Sequence, residues 1–251
     1  MGRDPQKGEA TVQEIREASA NEEVKLLRAD LSSQASIRKL ADNFLAEHDR
    51  LHVLLNCAGA FFRDRRVTID GLVMTFALNH LAYFLLTTLL LNLLQGSAPA
   101  RIVNVTSGAH SMGRIDFEDL QGERGYRGQT AYNQSKLANV LFTYELARRL
   151  DGTGVTANCM HPGVVRTNFG QQSQPLAWRL MISVVVPFMR SPEKGAETVV
   201  YLASDPDIET VTAKYFHDLK PKRSSKLSYD EALAARLWQV SKELTARPRT
   251  G

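Results

Sequence analysis

Tyr132 and Lys136 stand four residues apart in AYNQSKLANVLFTYELARRL, a run with helical periodicity. On a helix that spacing puts both side chains on one face, one turn apart, so the ammonium can lie beside the phenol. A free phenol titrates near ~10, and a neighbouring cation favours the phenolate. Such a pair can pass a proton to or from an oxygen near neutral pH. The same spacing also arises by chance on wet helix faces, so the pair alone decides nothing.

Four strand-like runs end in residues suited to a ligand crevice. They are Asp30 with Leu31, then Asn56 through Ala58 to Gly59, then Ser107, then Pro162 with Gly163. Each has a plain structural use: a helix cap, a tight turn, a strand-end cap, a loop starter. Together they would line one crevice at the carboxyl ends of a parallel sheet, with the Tyr132 helix following the Ser107 strand. His48 and His52 are also four apart, but HDRLH lacks the glutamate of H-E-x-x-H and crosses a helix end, so no metal site is expected.

The elements that must carry these residues alternate strand and helix, which predicts an α/β fold with a doubly wound parallel sheet between two helix layers. Helices are predicted from Pro5 to about Ala20 with Asp4 as cap, over 34–47, 81–94, from Ala131 onward, 192–203 with Ser191 as cap, and near the C-terminus. Leu137, Val140, Leu141 and Tyr144 follow the spacing of a core face. Strands are predicted over 24–31, 52–59 (buried), 101–107, 155–163 and 213–218. KPKRSSK, 220–226, reads as a solvated loop.

A chain of 251 residues, 43% hydrophobic and 23% charged, can bury one substantial core. A net charge of +4 is too small and too scattered for nucleic-acid binding. Cys57 and Cys159 lie in apolar runs and read as small core residues of a reduced compartment. MGRDPQKGEA shows no signal-peptide core. The apolar stretches 81–94 and 180–189 fall short of the ~20 residues of a membrane span. The expected location is cytoplasmic or peripheral to an intracellular membrane, the second stretch being free to touch one.

Taken in order, RADLSS, LLNCAG, DGLVMTFALNHLAYFLLT, SAPARIVNVTSGAH, RIDFEDL, AYNQSKLANVLFTYELARRL and HPGVVRTN resemble a short-chain dehydrogenase/reductase, most closely the retinol-dehydrogenase-like branch. The resemblance implies a Rossmann-like fold and an NADP-dependent oxidoreductase acting on a lipophilic alcohol or carbonyl. It makes Tyr132 the proton donor or acceptor, with Lys136 lowering its pKa and holding the nicotinamide ribose. Ser107 would bond the substrate oxygen, and Asn79 would hold a water linking Lys136 to solvent. Asp30, Leu31, Asn56, Ala58 and Gly59 would follow the adenosine side. Pro162, Gly163, Val164 and Thr167 would meet the carboxamide. Arg3 matches the arginine that meets a 2′-phosphate, which favours NADP over NAD. The stretch 176–189 falls where the family has its substrate lid, and helices 81–94 and 131 onward match the pair of a homodimer interface.

The chain departs from the family in two ways. Cys57 replaces the second asparagine of N-N-A-G, and the family's opening strand, G-x-x-x-G-x-G loop and following helix have no counterpart. The one G-x-G, at Gly152 and Gly154, follows a helix and precedes a strand, the reverse of what a phosphate loop requires. Residues 1–251 are therefore expected to form an N-terminally truncated Rossmann-type domain, with strand 52–59 bare or re-paired along one edge. The alternative is a non-catalytic chain serving as a dimer partner. A sugar-nucleotide epimerase, which also uses Y-x-x-x-K, ranks third because no added C-terminal substrate domain follows.

Overall fold

The computed structural model describes residues 4–165 and 189–246. Arg3, Thr167 and nearly all of the expected lid, 176–189, lie outside the described residues. Helix α1 (Pro5–Ser19) begins where the Asp4 carboxylate accepts the Gln6 and Lys7 amides, with proline at its first position. Helix α2 (Gln34–Glu47) is capped by Ser33. Of the predicted strand 24–31 between them, only Arg28 forms a β-bridge. A run becomes a strand only when a neighbour accepts its ladder of hydrogen bonds. Here Leu27, Ala29 and Leu31 pack on the core instead, and Arg16 donates to the Val24 carbonyl at 2.8 and 3.1 Å.

The sheet runs β1 (Val53–Asn56), β2 (Ala100–Val105), β3 (Val155–Met160), β4 (Tyr215–His217) and β5 (Lys220–Lys222), in that spatial order. The first four are parallel and β5 is antiparallel. Every residue of β3 is buried, as expected of a strand covered on both faces. β1 was expected to be buried as well, yet Val53 and Leu55 are 37% and 41% exposed. It is an edge strand, covered on the face of Leu54 and Asn56 alone. Cys57, just past it, is exposed rather than in the core, whereas Cys159 in mid-sheet is buried as expected.

The predicted loop 220–226 begins as strand β5. Asp218 and Leu219, both left-handed (φ 53° and 60°), make the two-residue turn from β4. Lysine and proline in an outermost strand discourage further pairing.

One helix layer is α3 (Met74–Gly96), α4 (Gly128–Arg149) and α6 (Glu231–Leu244); the other face carries α5 (Pro192–Ser204), whose Leu202 packs with Val103, Val105, Met160 and Phe216. Leu137, Val140, Leu141 and Tyr144 are all buried, as their spacing predicts. α3 is longer than read from sequence. At 23 residues it reaches the length and hydropathy of a membrane span, but most of it is buried inside the fold, which makes it a core helix. It packs on α2, and α4 packs on α6, so the chain itself covers the apolar faces of both helices.

Across the sheet, Asn56 Nδ2 donates to Thr87 Oγ1 at 3.0 Å and Asn104 Oδ1 at 2.8 Å, while Asn104 Nδ2 donates to Thr143 Oγ1 at 2.9 Å. These buried amides lock β1 and β2 to α3 and α4 with their polar groups satisfied. The side chain of Asn56 is thereby committed to the sheet.

Candidate active site

Lys136 sits in the third turn of α4 and is only 4% exposed. Thr106, just beyond β2, fixes this turn by donating to the Lys136 carbonyl at 2.7 Å. The ammonium carries three donors, yet among the described residues its one hydrogen-bond partner is the Val105 carbonyl at 3.4 Å. Its nitrogen also lies 5.7 Å from the centre of the Tyr132 ring. Burial lowers its pKa from 10.5 to about 8, which leaves it mostly protonated at neutral pH.

Tyr132 is half-buried one turn earlier, its ring edge-on to Phe61 at 5.9 Å. Burial pushes its phenol up, and a hydrogen bond with the Ser107 side chain pulls it partly back. The net direction is upward, opposite to the lowering expected from Lys136, because desolvation outweighs every favourable contact. The phenol is therefore protonated at neutral pH. Ser107 also caps a short 3₁₀ turn, its Oγ accepting the Ala109 amide at 3.2 Å.

Asn79 joins this cluster to β1. Its Oδ1 accepts the Ala60 amide at 2.8 Å, and its Nδ2 donates to the Ala60 carbonyl at 3.0 Å and to Ser135 Oγ at 3.1 Å. The Ser135 hydroxyl in turn donates to the Tyr132 carbonyl at 2.8 Å. Gly59 fits between: a Cβ there would stand 3.3 Å from Lys136 Nζ and 3.4 Å from Asn79 Oδ1. Tyr83 donates to the Ala58 carbonyl at 2.7 Å, holding the same loop from below.

The turn after β3 approaches from the other side. His161 Nδ1 accepts the Gly163 amide at 3.2 Å, and its ring stacks on His217 with centroids 4.0 Å apart. Gly163 is left-handed (φ 80°) with the Arg190 guanidinium against it, and Arg190 pairs with Asp218. Val164 is 64% exposed. His161 lies 3.8 Å from where a Gly108 side chain would begin, which brings His161 beside the turn that Ser107 caps.

The structure thus gathers Tyr132, Lys136, Ser107, Asn79, Ala58, Gly59 and the His161–Val164 turn. Asp30 serves locally, its Oδ1 accepting the Ser32 amide and hydroxyl at 2.9 and 2.7 Å, and Leu31 packs on the core. Ser135 and Phe61 were missed in the sequence. Ser135 was findable, since it stands three residues from Tyr132 on the same helical stripe; Phe61 was not, because only the fold brings it there.

The family model for short chain dehydrogenases matches residues 1–176. Retinol dehydrogenase 12 of Mus musculus is 47% identical over 244 residues, which cover 96% of this chain and 76% of that protein. The chain belongs to the short chain dehydrogenase family. Two solved structures of this fold extend the comparison. An uncharacterized protein from Mycobacterium paratuberculosis aligns with TM-score 0.75 at 32% identity, covering 98% of this chain and 82% of its own. A blue fluorescent protein from a metagenomic library, solved in complex with NADPH, aligns with TM-score 0.63 at 26% identity, covering 84% and 80%.

As a short chain dehydrogenase the protein is an oxidoreductase with a nicotinamide cofactor. The residues around Lys136 fit the nicotinamide-ribose end of such a group: a buried ammonium with donors to spare and a glycine whose added Cβ would press on that ammonium at 3.3 Å.

Proposed function

We propose that this short chain dehydrogenase interconverts a lipophilic, retinol-like alcohol and its aldehyde or ketone with NADP as hydride carrier, residues 1–251 acting as one Rossmann-type unit. The observation that carries the reading is the Tyr132 phenol, hydrogen-bonded to Ser107 and standing one turn from a buried ammonium with unused donors. The name of the Mus musculus relative supports a retinol-like substrate, and the NADPH-bound neighbour supports the phosphorylated cofactor.

A nicotinamide held there would supply or accept the hydride at the substrate carbon. In reduction, Tyr132 donates its phenolic proton to the carbonyl oxygen as the hydride arrives, so no free alkoxide forms. Ser107 donates a hydrogen bond to the same oxygen and fixes its direction. Lys136 holds the nicotinamide ribose with its spare donors and stabilises the phenolate left behind. Asn79 keeps Lys136 connected to solvent for reprotonation. Pro162, Gly163, Val164 and Thr167 would hold the carboxamide, Asp30, Leu31, Ala58, Gly59 and the Asn56 backbone would follow the adenosine side, and Arg3 would pair with a 2′-phosphate. A phenol held protonated by burial is ready to donate its proton when a carbonyl is reduced.

A fluorescence titration with NADPH and NADH tests the cofactor assignment. NADPH is expected to bind in the micromolar range and at least ~10-fold more tightly than NADH, one charge-assisted contact being enough for that ratio. Equal binding of the two would remove the 2′-phosphate contact from the account.

A further inference from the structure

Helix α3 leaves the α pattern over Ala77–Leu81, where a π turn carries Asn79 and His80. Such a turn lasts only where neighbours hold it, and it marks functional positions often enough to ask what holds this one. Asn79, His80, Asn139 and Ser241 are all 0% exposed. Asn139 Nδ2 donates to the Asn79 carbonyl at 2.8 Å; His80 Nδ1 lies 3.1 Å from Asn139 Oδ1; His80 Nε2 lies 2.9 Å from Ser241 Oγ.

The proton positions follow from elimination. A carbonyl only accepts, so the nitrogen of Asn139 faces Asn79 and its oxygen faces His80. That oxygen only accepts, so His80 carries its proton on Nδ1. Nε2 is then an acceptor, and the Ser241 hydroxyl donates to it. All three bonds run the same way, from α6 through His80 and Asn139 to the Asn79 carbonyl, and each polarises the next in a dry interior. The arrangement needs a neutral imidazole, and burial supplies one by lowering the His80 pKa to about 4. Asn79 is the joint: its backbone takes this relay, while its side chain grips Ala60 and Ser135 beside Tyr132 and Lys136.

We propose that His80 and Asn139 are positioning residues that hold the Asn79 turn in register with Tyr132 and Lys136, coupling helix α6, through Ser241, to the active site. The proposal rests on the oxidoreductase reading above.

Steady-state kinetics of aldehyde-dependent NADPH oxidation, with hydrogen exchange of residues 77–82, tests it on the full chain. Asn139→Leu and His80→Leu cut the relay. Each is expected to lower kcat roughly 10- to 100-fold with KM for the aldehyde within about threefold, as a misplaced but intact catalytic set would. They should also shift the pH midpoint of kcat and speed exchange at 77–82. His80→Gln offers an amide donor and acceptor in place of the two ring nitrogens and should restore kcat to within about threefold of wild type. If the leucine variants do not fold, Ser241→Ala removes only the far donor and should still lower kcat several-fold and shift its pH midpoint. Wild-type kcat and pH midpoint in the variants, with only the melting temperature lowered, would mean a purely structural clamp and overturn the proposal. A wild type with no NADPH oxidation overturns the oxidoreductase reading itself, and the proposal falls with it.

Discussion

Replacing Tyr132 with phenylalanine lowers kcat for aldehyde reduction by about 10²- to 10⁴-fold, the span associated with a positioned proton donor, while the fold survives. The substitution deletes one oxygen and keeps the ring, so the edge contact with Phe61 at 5.9 Å and the 5.7 Å approach of Lys136 are both retained. Ser107 keeps the Ala109 amide as a partner, so no buried hydroxyl is stranded. The loss therefore falls on chemistry and not on packing. Steady-state kinetics beside a thermal melt reads both at once. A variant retaining more than about a tenth of wild-type kcat would show that another group delivers the proton, since one positioned acid accounts for at least ~10²-fold.

Lys136→Met should move activity and stability in opposite directions. Methionine matches the length of the lysine stem without a charge, so the third turn of α4 keeps its filling. Turnover should fall to background, because in the proposed mechanism Lys136 holds the ribose and stabilises the phenolate. Stability should rise. The ammonium is 4% exposed and pairs with no carboxylate among the described residues. Its pKa fall from 10.5 to about 8 corresponds to roughly 3 kcal/mol at 1.36 kcal/mol per pH unit. The sign follows from proton counting: between pH 8 and 10.5 the unfolded chain binds more protons than the native one, so wild-type stability rises with pH in that window. The advantage of the methionine variant is thus full below pH 8 and shrinks toward pH 10.5. Urea melts at pH 7 and pH 10 check this. A destabilised variant at pH 7 would mean that the ammonium has stabilising partners not counted here.

What could be read from the residues divides along local and non-local lines. The caps at Asp4 and Ser191 and the core face of α4 follow from neighbours within a turn, and the alternation of strands with helices points to a parallel sheet without fixing which strands pair. The Tyr132–Lys136 stripe is local as well. Residues 24–31 look like a strand from composition, but pairing is decided by a partner far away, and only the bridge at Arg28 forms there. Val53, Leu55 and Cys57 look like core for the same reason; their exposure depends on which faces of β1 the rest of the chain covers. The phenol of Tyr132 shows the limit for chemistry. The helix spacing rightly brings Lys136 near, but the direction of the pKa is set by tertiary burial that no local pattern encodes. The relay behind Asn79 joins residues 59 to 161 positions apart, so its members looked like unremarkable helix residues.

The central claim is that this chain transfers a hydride between a nicotinamide and a lipophilic carbonyl with Tyr132 supplying the proton. The most direct measurement is single-product mass spectrometry after incubating the 251-residue chain with NADPH carrying two deuteriums at C4 and a long-chain aldehyde or retinal. The account predicts an alcohol carrying one deuterium on the former carbonyl carbon, formed by wild type and not by the Tyr132→Phe variant. An alcohol without deuterium, or no alcohol from a folded, NADPH-saturated protein, would contradict it.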